Sequence, residues 1–423
     1  MSEYIIEGGR KLSGNIDVSG SKNATLPILA ATILNEGITI INNVPDIKDV
    51  NAMCAILQSL GCAITRDKNT VKVNSTNITT SEIPENLMRE MRSSVILAGA
   101  LIGRTKKCHF TYPGGCEIGS RPINLHLEAF EQLGVQIEEK NGYINCTSSK
   151  LEGTEIVLDF PSVGATENIM LASVFAEGET RIKNVAREPE IKNLQDFLNS
   201  MGAKVKGAGS NSIVIKGVEK LHDSEFSVIP DRIEAASYLC MTAATSGEII
   251  LTKINPEHLS SAIHKLRKMN LKISYSKNEL YLKSLKHLNP INIKTMPYPG
   301  FPTDMQSQFT TLLTLAKGTS IIVENIFENR YKYVNELIKM GANITLEDRT
   351  AIVQGVEKLY GANVEAKELR GGAALITAAL AAQGETKISG INFVERGYEN
   401  LVKKLTILGA KIAKQWYNKC RYA

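Results

Sequence analysis

The sequence predicts an α/β fold built from six copies of one unit of roughly 70 residues. Three observations predict it. One short phrase recurs six times: LQSLGCAI ending at Ile64, EQLGVQI at Ile137, LNSMGAKV at Val205, LRKMNLKI at Ile273, LIKMGANI at Ile344 and LTILGAKI at Ile412. A second phrase precedes it in matched phase: EGITIINNV, TKKCHFTYP, EGETRIKNV, SGEIILTKI, KGTSIIVENI and QGETKISGI. Ahead of each second phrase lies a segment of small and apolar residues: ATLPILAATIL, SSVILAGALIG, ATENIMLASVFA, EAASYLCMTAAT, MQSQFTTLLTLA and GGAALITAALAA.

Each phrase has a physical reading. The first is an amphipathic helix stopped by a residue that tolerates a left-handed backbone, followed by a strand. Gly61, Gly134, Gly202, Gly341 and Gly409 fill that slot, and Asn270 takes it in the fourth copy. The second phrase is a strand entered through a turn. The small-residue segments are apolar nearly all round, so they read as buried helices in close contact. The run Ala373–Ala382, bounded by Gly372 and Gly384, belongs to this class.

Composition narrows the function classes. The 423 residues are 43% hydrophobic and 22% charged, enough for two or three domains with real cores. A net charge of +5, spread along the chain, does not point to nucleic acid. No stripe of basic and aromatic residues appears either. The start, MSEYIIEGGRKLSGN, lacks the apolar core of a signal peptide, and no run approaches the ~18 apolar residues of a membrane span. Seven cysteines without a C-x-x-C pair argue against a disulfide framework or a zinc site. A cytoplasmic protein is expected. Cys54, Cys62 and Cys240 lie in apolar patterns and read as small core residues. GAGSNS at Gly207 lies between two strands and reads as a hairpin turn.

The residues at the mouths of the six buried helices carry the chemistry. They read SGSKN to Asn23, MREMR to Arg92, PSVGAT to Thr166, PDRIE to Glu234, FPTDM to Met305 and KELRG to Gly371. Helix N-termini favour anions, so Lys22, Arg92 and Arg370 could together build a cationic site for a polyanionic ligand. Ser21, Ser162, Thr303 and Asp231 are also good N-cap types, which need no ligand. Cations at a helix start oppose its dipole, and for Lys22 and Arg92 a bound phosphate would compensate.

The second copy departs from its siblings at TYPGGCEIGSRPINLHL. Pro113, Gly114, Gly115 and Gly119 make an exposed turn with Cys116 at its tip and Arg121 five residues on. A thiol beside cations loses its proton more easily and can serve as acid or nucleophile.

With SGSKNA, PGGCEIGSRPINLH, SVGATENI, AREPEI, PDRIEA, PGFPTDMQ, FENR, ELRGGAAL and ERGYE, the whole chain resembles the UDP-N-acetylglucosamine 1-carboxyvinyltransferase family of enolpyruvyl transferases. The resemblance implies an EPSP synthase-like fold, a two-domain inside-out α/β barrel of βαβαββ-type units. One domain would be 1–21 plus 230–423 and the other 22–229, with the active site in the cleft between them. It implies transfer of enolpyruvyl from phosphoenolpyruvate to the 3′-hydroxyl of UDP-N-acetylglucosamine, the first committed step of peptidoglycan synthesis, and hence of cell-wall formation, cell shape and division. Lys22, Arg121 and Arg396 would hold phosphoenolpyruvate, with Arg330 and Arg370 lining the same region. Asn23, Arg92, Asp304 and the run Arg121, Pro122, Ile123, Asn124 and Leu125 would contact the nucleotide sugar. Ser162, Val163, Gly164 and Ile326 would complete the uridine side. Cys116 would donate the proton, form the covalent adduct and be the target of fosfomycin, and Asp304 would act as general base. No metal or cofactor is implied, and a monomer is expected. Substrate would close the domains and carry the Cys116 loop over the cleft.

Two positions depart from the family pattern. Glu368-Leu369-Arg370 stands for the usual Asp-Leu-Arg, which gives the carboxylate ~1.5 Å more reach. Tyr333 stands where many relatives have His. The rivals are an enolpyruvyl transferase acting on shikimate 3-phosphate, which would need no loop cysteine, and a non-catalytic anion-binding protein on the same scaffold.

Overall fold

The computed structural model describes residues 2–114, 118–119, 122–285 and 287–416. Cys116 and Arg121 lie outside them. The chain divides into two compact units, one of Gly20–Cys116 and Arg121–Ile229, the other of Met1–Ser19, Glu117–Ser120 and Pro230–Ala423. Each has its own hydrophobic core.

All six small-residue segments are helices. In the unit holding residue 20 they are α1 (Lys22–Ala31), α2 (Ile96–Thr105) and α3 (Val163–Ala172). In the other they are α4 (Arg232–Ala244), α5 (Thr303–Leu313) and α6 (Leu369–Ala381). Between their first and last turns they are buried on every face, because small side chains let neighbouring backbones approach. Gly99 of α2 shows the constraint: a Cβ there would stand 2.3 Å from the Asn168 carbonyl oxygen of α3. α2 packs on both α1 and α3, while α4, α5 and α6 pack pairwise.

Around each trio stand three sheets, and the sheets share one plan. The strand of the second phrase, such as Glu179–Lys183, pairs in parallel with a short strand, here Glu155–Val157. On its other side it pairs antiparallel with the second arm of a hairpin, here Ser212–Lys216, whose first arm is Lys204–Lys206. The turn of that hairpin carries Gly207 at φ 101° and Gly209 at φ 89°, as the GAGSNS reading expects. In the second copy an isolated parallel bridge, Glu82 to His109, replaces the short strand. Counting strands supplied from elsewhere in the chain, and the bridge of the second copy, the order of each copy is β-α-β-α-β-β. Among the described residues the strands fall into six separate sheets, three around each trio, and not one closed barrel.

Three copies borrow a strand from elsewhere in the chain: Ser13–Asp17 supplies the parallel strand of the fourth copy, beside Glu248–Thr252. Ser224–Ser227 supplies the parallel strand of the first copy, beside Ile38–Asn42. Ser2–Glu7 completes the sixth copy, between Glu385–Ser389 and Lys411–Trp416. The repeat is therefore circularly permuted relative to the chain ends.

The amphipathic helices end as their sequences require. Gly61, Gly134, Gly202, Asn270, Gly341 and Gly409 all have φ between 71° and 108°. The following residue then donates back to a carbonyl five positions earlier, as Cys62 does to Leu57 and Leu271 to Leu266. This bond is the Schellman closure, which explains why only Gly or Asn occupies the slot.

Candidate active site

The residue-20 unit places its sequence-predicted residues at the starts of its buried helices. Ser21 caps α1, its Oγ accepting from Ala24 N at 3.3 Å. Lys22 and Asn23 form the half-buried first turn. Lys22 Nζ lies 3.1 Å from Asp49 Oδ2, with the two side chains only 12% and 5% exposed. The Lys22 charge at the helix start therefore has a carboxylate partner within the protein, so its position alone does not require a bound phosphate. Asp49 was not singled out by the sequence; its signal is an acid in the first turn of helix Lys48–Ser59.

Arg92 opens a short 3₁₀ turn, Arg92–Val95, that runs into α2. Ser162 caps α3, its Oγ accepting from Ala165 N, and Ser162, Val163 and Gly164 are half-buried. Pro122 and Asn124 are exposed, Leu125 is half-buried, and buried Ile123 is the cap residue of helix Asn124–Gln132. A link between these segments went unread. His126, buried, has Nδ1 2.7 Å from the Asn168 amide nitrogen, and its ring packs close on Gly164, where a Cβ would stand 3.2 Å from Cε1. Asn168 in turn accepts from Gly99 N at 2.7 Å and donates to Val95 O at 3.0 Å, tying α3 to α2.

The other unit gathers Asp304, Arg330 and Arg370. Asp304, in the first turn of α5, is the half-exposed member of the group. Arg330 Nη2 donates to Asp304 Oδ1 at 2.8 Å, and Arg370 Nη2 donates to Oδ2 at 3.0 Å. Burial works against both guanidinium charges, but Glu368 and Asp304 beside Arg330, and Asp304 beside Arg370, outweigh it and hold both arginines firmly protonated. Arg396 ends a 3₁₀ turn, Val394–Arg396, and is half-buried, as is Ile326.

Two expectations are corrected here. Thr303 does not cap α5; Pro302 is the cap residue, and Thr303 Oγ1 donates to Glu324 Oε2 at 3.0 Å. Glu324, fully buried, also accepts from Thr295 and from the backbone of Ile326 and Phe327, so an acid absent from the sequence reading seats Ile326. Cys54 is half-buried at the core rim, whereas Cys62 and Cys240 are buried as expected. The extra methylene of Glu368 has a clear outcome. Its two oxygens accept separately from Arg370 N, at 2.7 Å, and from Gly371 N, so it caps α6. Tyr333 is buried, and its hydroxyl donates to Gln306 Oε1 at 3.1 Å.

A sequence profile of the EPSP synthase (3-phosphoshikimate 1-carboxyvinyltransferase) family matches residues 6–405. The chain belongs to that family. Among relatives of this EPSP synthase family member is UDP-N-acetylglucosamine 1-carboxyvinyltransferase 2 of Caldanaerobacter subterraneus subsp. tengcongensis, 51% identical over 98% of this chain and 100% of the relative. The like-named enzyme of Clostridium acetobutylicum is 48% identical over 98% and 100%. The enolpyruvyl transferase NikO from Streptomyces tendae has a similar structure, with a TM-score of 0.89 and 25% identity over 98% of both chains. EPSP synthase from Acinetobacter baumannii shares the fold at a TM-score of 0.77 and 18% identity, over 98% and 100%.

Among the described residues of this family member, no group of three or more His, Cys, Asp or Glu side chains is gathered as a metal site. No described helix is long and apolar enough to cross a membrane.

Proposed function

We propose that this chain transfers the enolpyruvyl group of phosphoenolpyruvate to the 3′-hydroxyl of UDP-N-acetylglucosamine, releasing phosphate, in the cytoplasm and as a monomer. The observation that carries the reading is 51% identity, over essentially full length, to a relative named for this reaction. The site residues support it. Lys22, Arg121 and Arg396 hold the phosphoenolpyruvate anion, Arg suiting the planar carboxylate and Lys the phosphate. Asn23, Arg92, the run 122–125, Ser162–Gly164 and Ile326 hold the nucleotide sugar.

The chemistry is addition followed by elimination. The Cys116 thiol gives its proton to C3 of the enol phosphate, which leaves C2 electrophilic. The sugar oxygen bonds to C2 while its proton passes to Asp304, a carboxylate at a helix start that is 28% exposed. The tetrahedral adduct then loses a proton from C3 and expels phosphate from C2, with Lys22 and Arg121 stabilising the leaving charge. Fosfomycin alkylates the same thiol.

Phosphate release dependent on both substrates tests the proposal. Cys116→Ser or fosfomycin should abolish it. Release that requires shikimate 3-phosphate in place of the nucleotide sugar would overturn the substrate assignment.

A further inference from the structure

We propose that the outer face of the fourth repeat copy binds the surface of an anionic lipid bilayer. The inference stands apart from the enolpyruvyl-transfer reading, because no residue of this face belongs to the candidate site.

Charge distribution is the first argument. Cations are spread along the chain, but carboxylates are not. Residues 260–294 hold seven Lys, one Arg and a single acid, Glu279, a net charge of +7 against +5 for the whole chain. The rest of the chain therefore sums to −2, and this copy carries the positive excess. The repeat does not demand it. The amphipathic helices of the first three copies, Lys48–Ser59, Asn124–Gln132 and Pro189–Ser200, have no basic residue in the last turn. Helix Ser260–Lys268 has Lys265, Arg267 and Lys268 there. A helix C-terminus favours a cation, yet the siblings fold without one. In the sheet that follows, Lys272 stands directly opposite Lys283, a like-charge pair that costs stability. Glu248 pairs with Lys283 at 2.8 Å. Among the described residues, no carboxylate pairs with Lys268, Lys272, Lys277 or Lys294.

The fold gathers these charges. Helix Ser260–Lys268 buries Ala262, Ile263 and Leu266 and turns His264, Arg267 and Lys268 outward. Arg267 Nη2 donates to Ile273 O at 3.0 Å, and its guanidinium lies 5.5 Å from the centre of the Tyr275 ring. These contacts join the helix end to the edge strand Lys272–Tyr275. The loop after Lys283 is tied to the same helix end. Asn270 Nδ2 donates to His287 O at 3.1 Å, Asn289 N to Met269 O at 3.2 Å, and Lys265 Nζ to Asn292 O at 2.6 Å. Lys317 N donates to Leu288 O at 2.9 Å, which brings a further exposed cation to this loop. Burial first, and the Lys268 charge second, push the Lys265 pKa down, so neighbouring cations here feel one another.

Side-chain chemistry selects the partner. Lys is a compact, strongly hydrated charge on a flexible stem, suited to diffuse attraction by a charged plane. Recognition of single phosphates on a nucleic acid favours the Arg fork, and the one Arg of this stretch is committed to Ile273 and Tyr275. Two large apolar side chains stand exposed among the cations, Tyr275 at 52% and Leu285 at 40%. Side chains of this kind enter the headgroup layer while lysines face its anions.

Co-sedimentation of the full chain with lipid vesicles tests the inference. Vesicles of equal parts phosphatidylglycerol and phosphatidylcholine should bind it at about 50 mM salt and release it at about 500 mM. Vesicles of phosphatidylcholine alone should not bind it. Lys268→Gln, Lys272→Gln and Lys294→Gln combined should weaken binding about 100-fold, roughly fivefold for each lysine. Lys204→Gln, Lys206→Gln and Lys216→Gln combined remove the same net charge from exposed positions of the other unit. That control should change binding by less than about twofold, since exposed charges beyond a Debye length are screened. If the first combination does not fold, Lys268→Gln alone gives the same reading at about fivefold. No binding to the anionic vesicles, equal losses from the two combinations, or tighter retention by single-stranded RNA than by the vesicles would overturn the inference.

Discussion

Lys22 and Asp49 form a nearly buried ion pair, Nζ to Oδ2 at 3.1 Å, that fixes a lysine at the first residue of α1. The pair joins two helices of one repeat, and it shows how the protein holds a cation where the helix dipole disfavours one. Removing one member of such a pair takes a counter-charge from the other. Asp49→Asn should therefore destabilise the chain by about 3 kcal/mol in urea denaturation. If Lys22 holds phosphoenolpyruvate, the KM for that substrate should also rise; an unchanged KM would detach Asp49 from the site.

Glu368 takes two backbone N–H groups of α6, one on each oxygen. Glu368→Ala should cost about 1–2 kcal/mol by loss of the cap. Glu368→Asp, which restores the usual family residue, should cost less, because an aspartate still reaches one of the two donors. Equal urea midpoints for wild type and Glu368→Ala would show that the cap adds nothing.

Glu167 provides a pH test. Burial, then Glu190 and Glu188, push its carboxyl well above the ordinary range. Below about pH 4.5 the group is protonated in both folded and unfolded chains and costs nothing. As pH rises, the unfolded chain ionises first, so stability falls until the folded pKa is passed, by up to about 1.4 kcal/mol per pH unit. Glu167→Gln should raise the melting temperature at pH 8 and leave it nearly unchanged at pH 4. A gain of equal size at both pH values would contradict this account.

Thiol chemistry gives a further check. Burial pushes Cys54 and Cys62 up to about 11 and Cys146 to about 12, and raises Cys108 and Cys240 as well. Iodoacetamide at pH 7.5 should leave all five unmodified in the native chain, as read by peptide mass spectrometry. Rapid labelling of any of the four buried thiols would show that the structure around it opens readily.

Helix packing and helix ends should respond in opposite directions. Gly99→Ala forces a methyl onto the Asn168 carbonyl and should cost about 1–3 kcal/mol. Asn270→Gly, at φ 71°, should be neutral or slightly stabilising, since glycine takes that backbone freely. Thermal melts of the two variants read both directions.

The sequence by itself determined the repeat, the stops of the amphipathic helices and the buried character of the six small-residue segments. These are local properties. A left-handed stop needs Gly or Asn at one position, and an all-round apolar segment has no solvent-facing side. The mouths of those helices were legible too, because charged and polar residues break the apolar pattern there. Tertiary structure decided which side chains meet. Nothing local links Lys22 to Asp49, His126 to Gly164 and Asn168, or Arg330 and Arg370 to the two oxygens of Asp304. Such pairings depend on where separate helices bring their ends, and on which charges burial leaves no option but to pair.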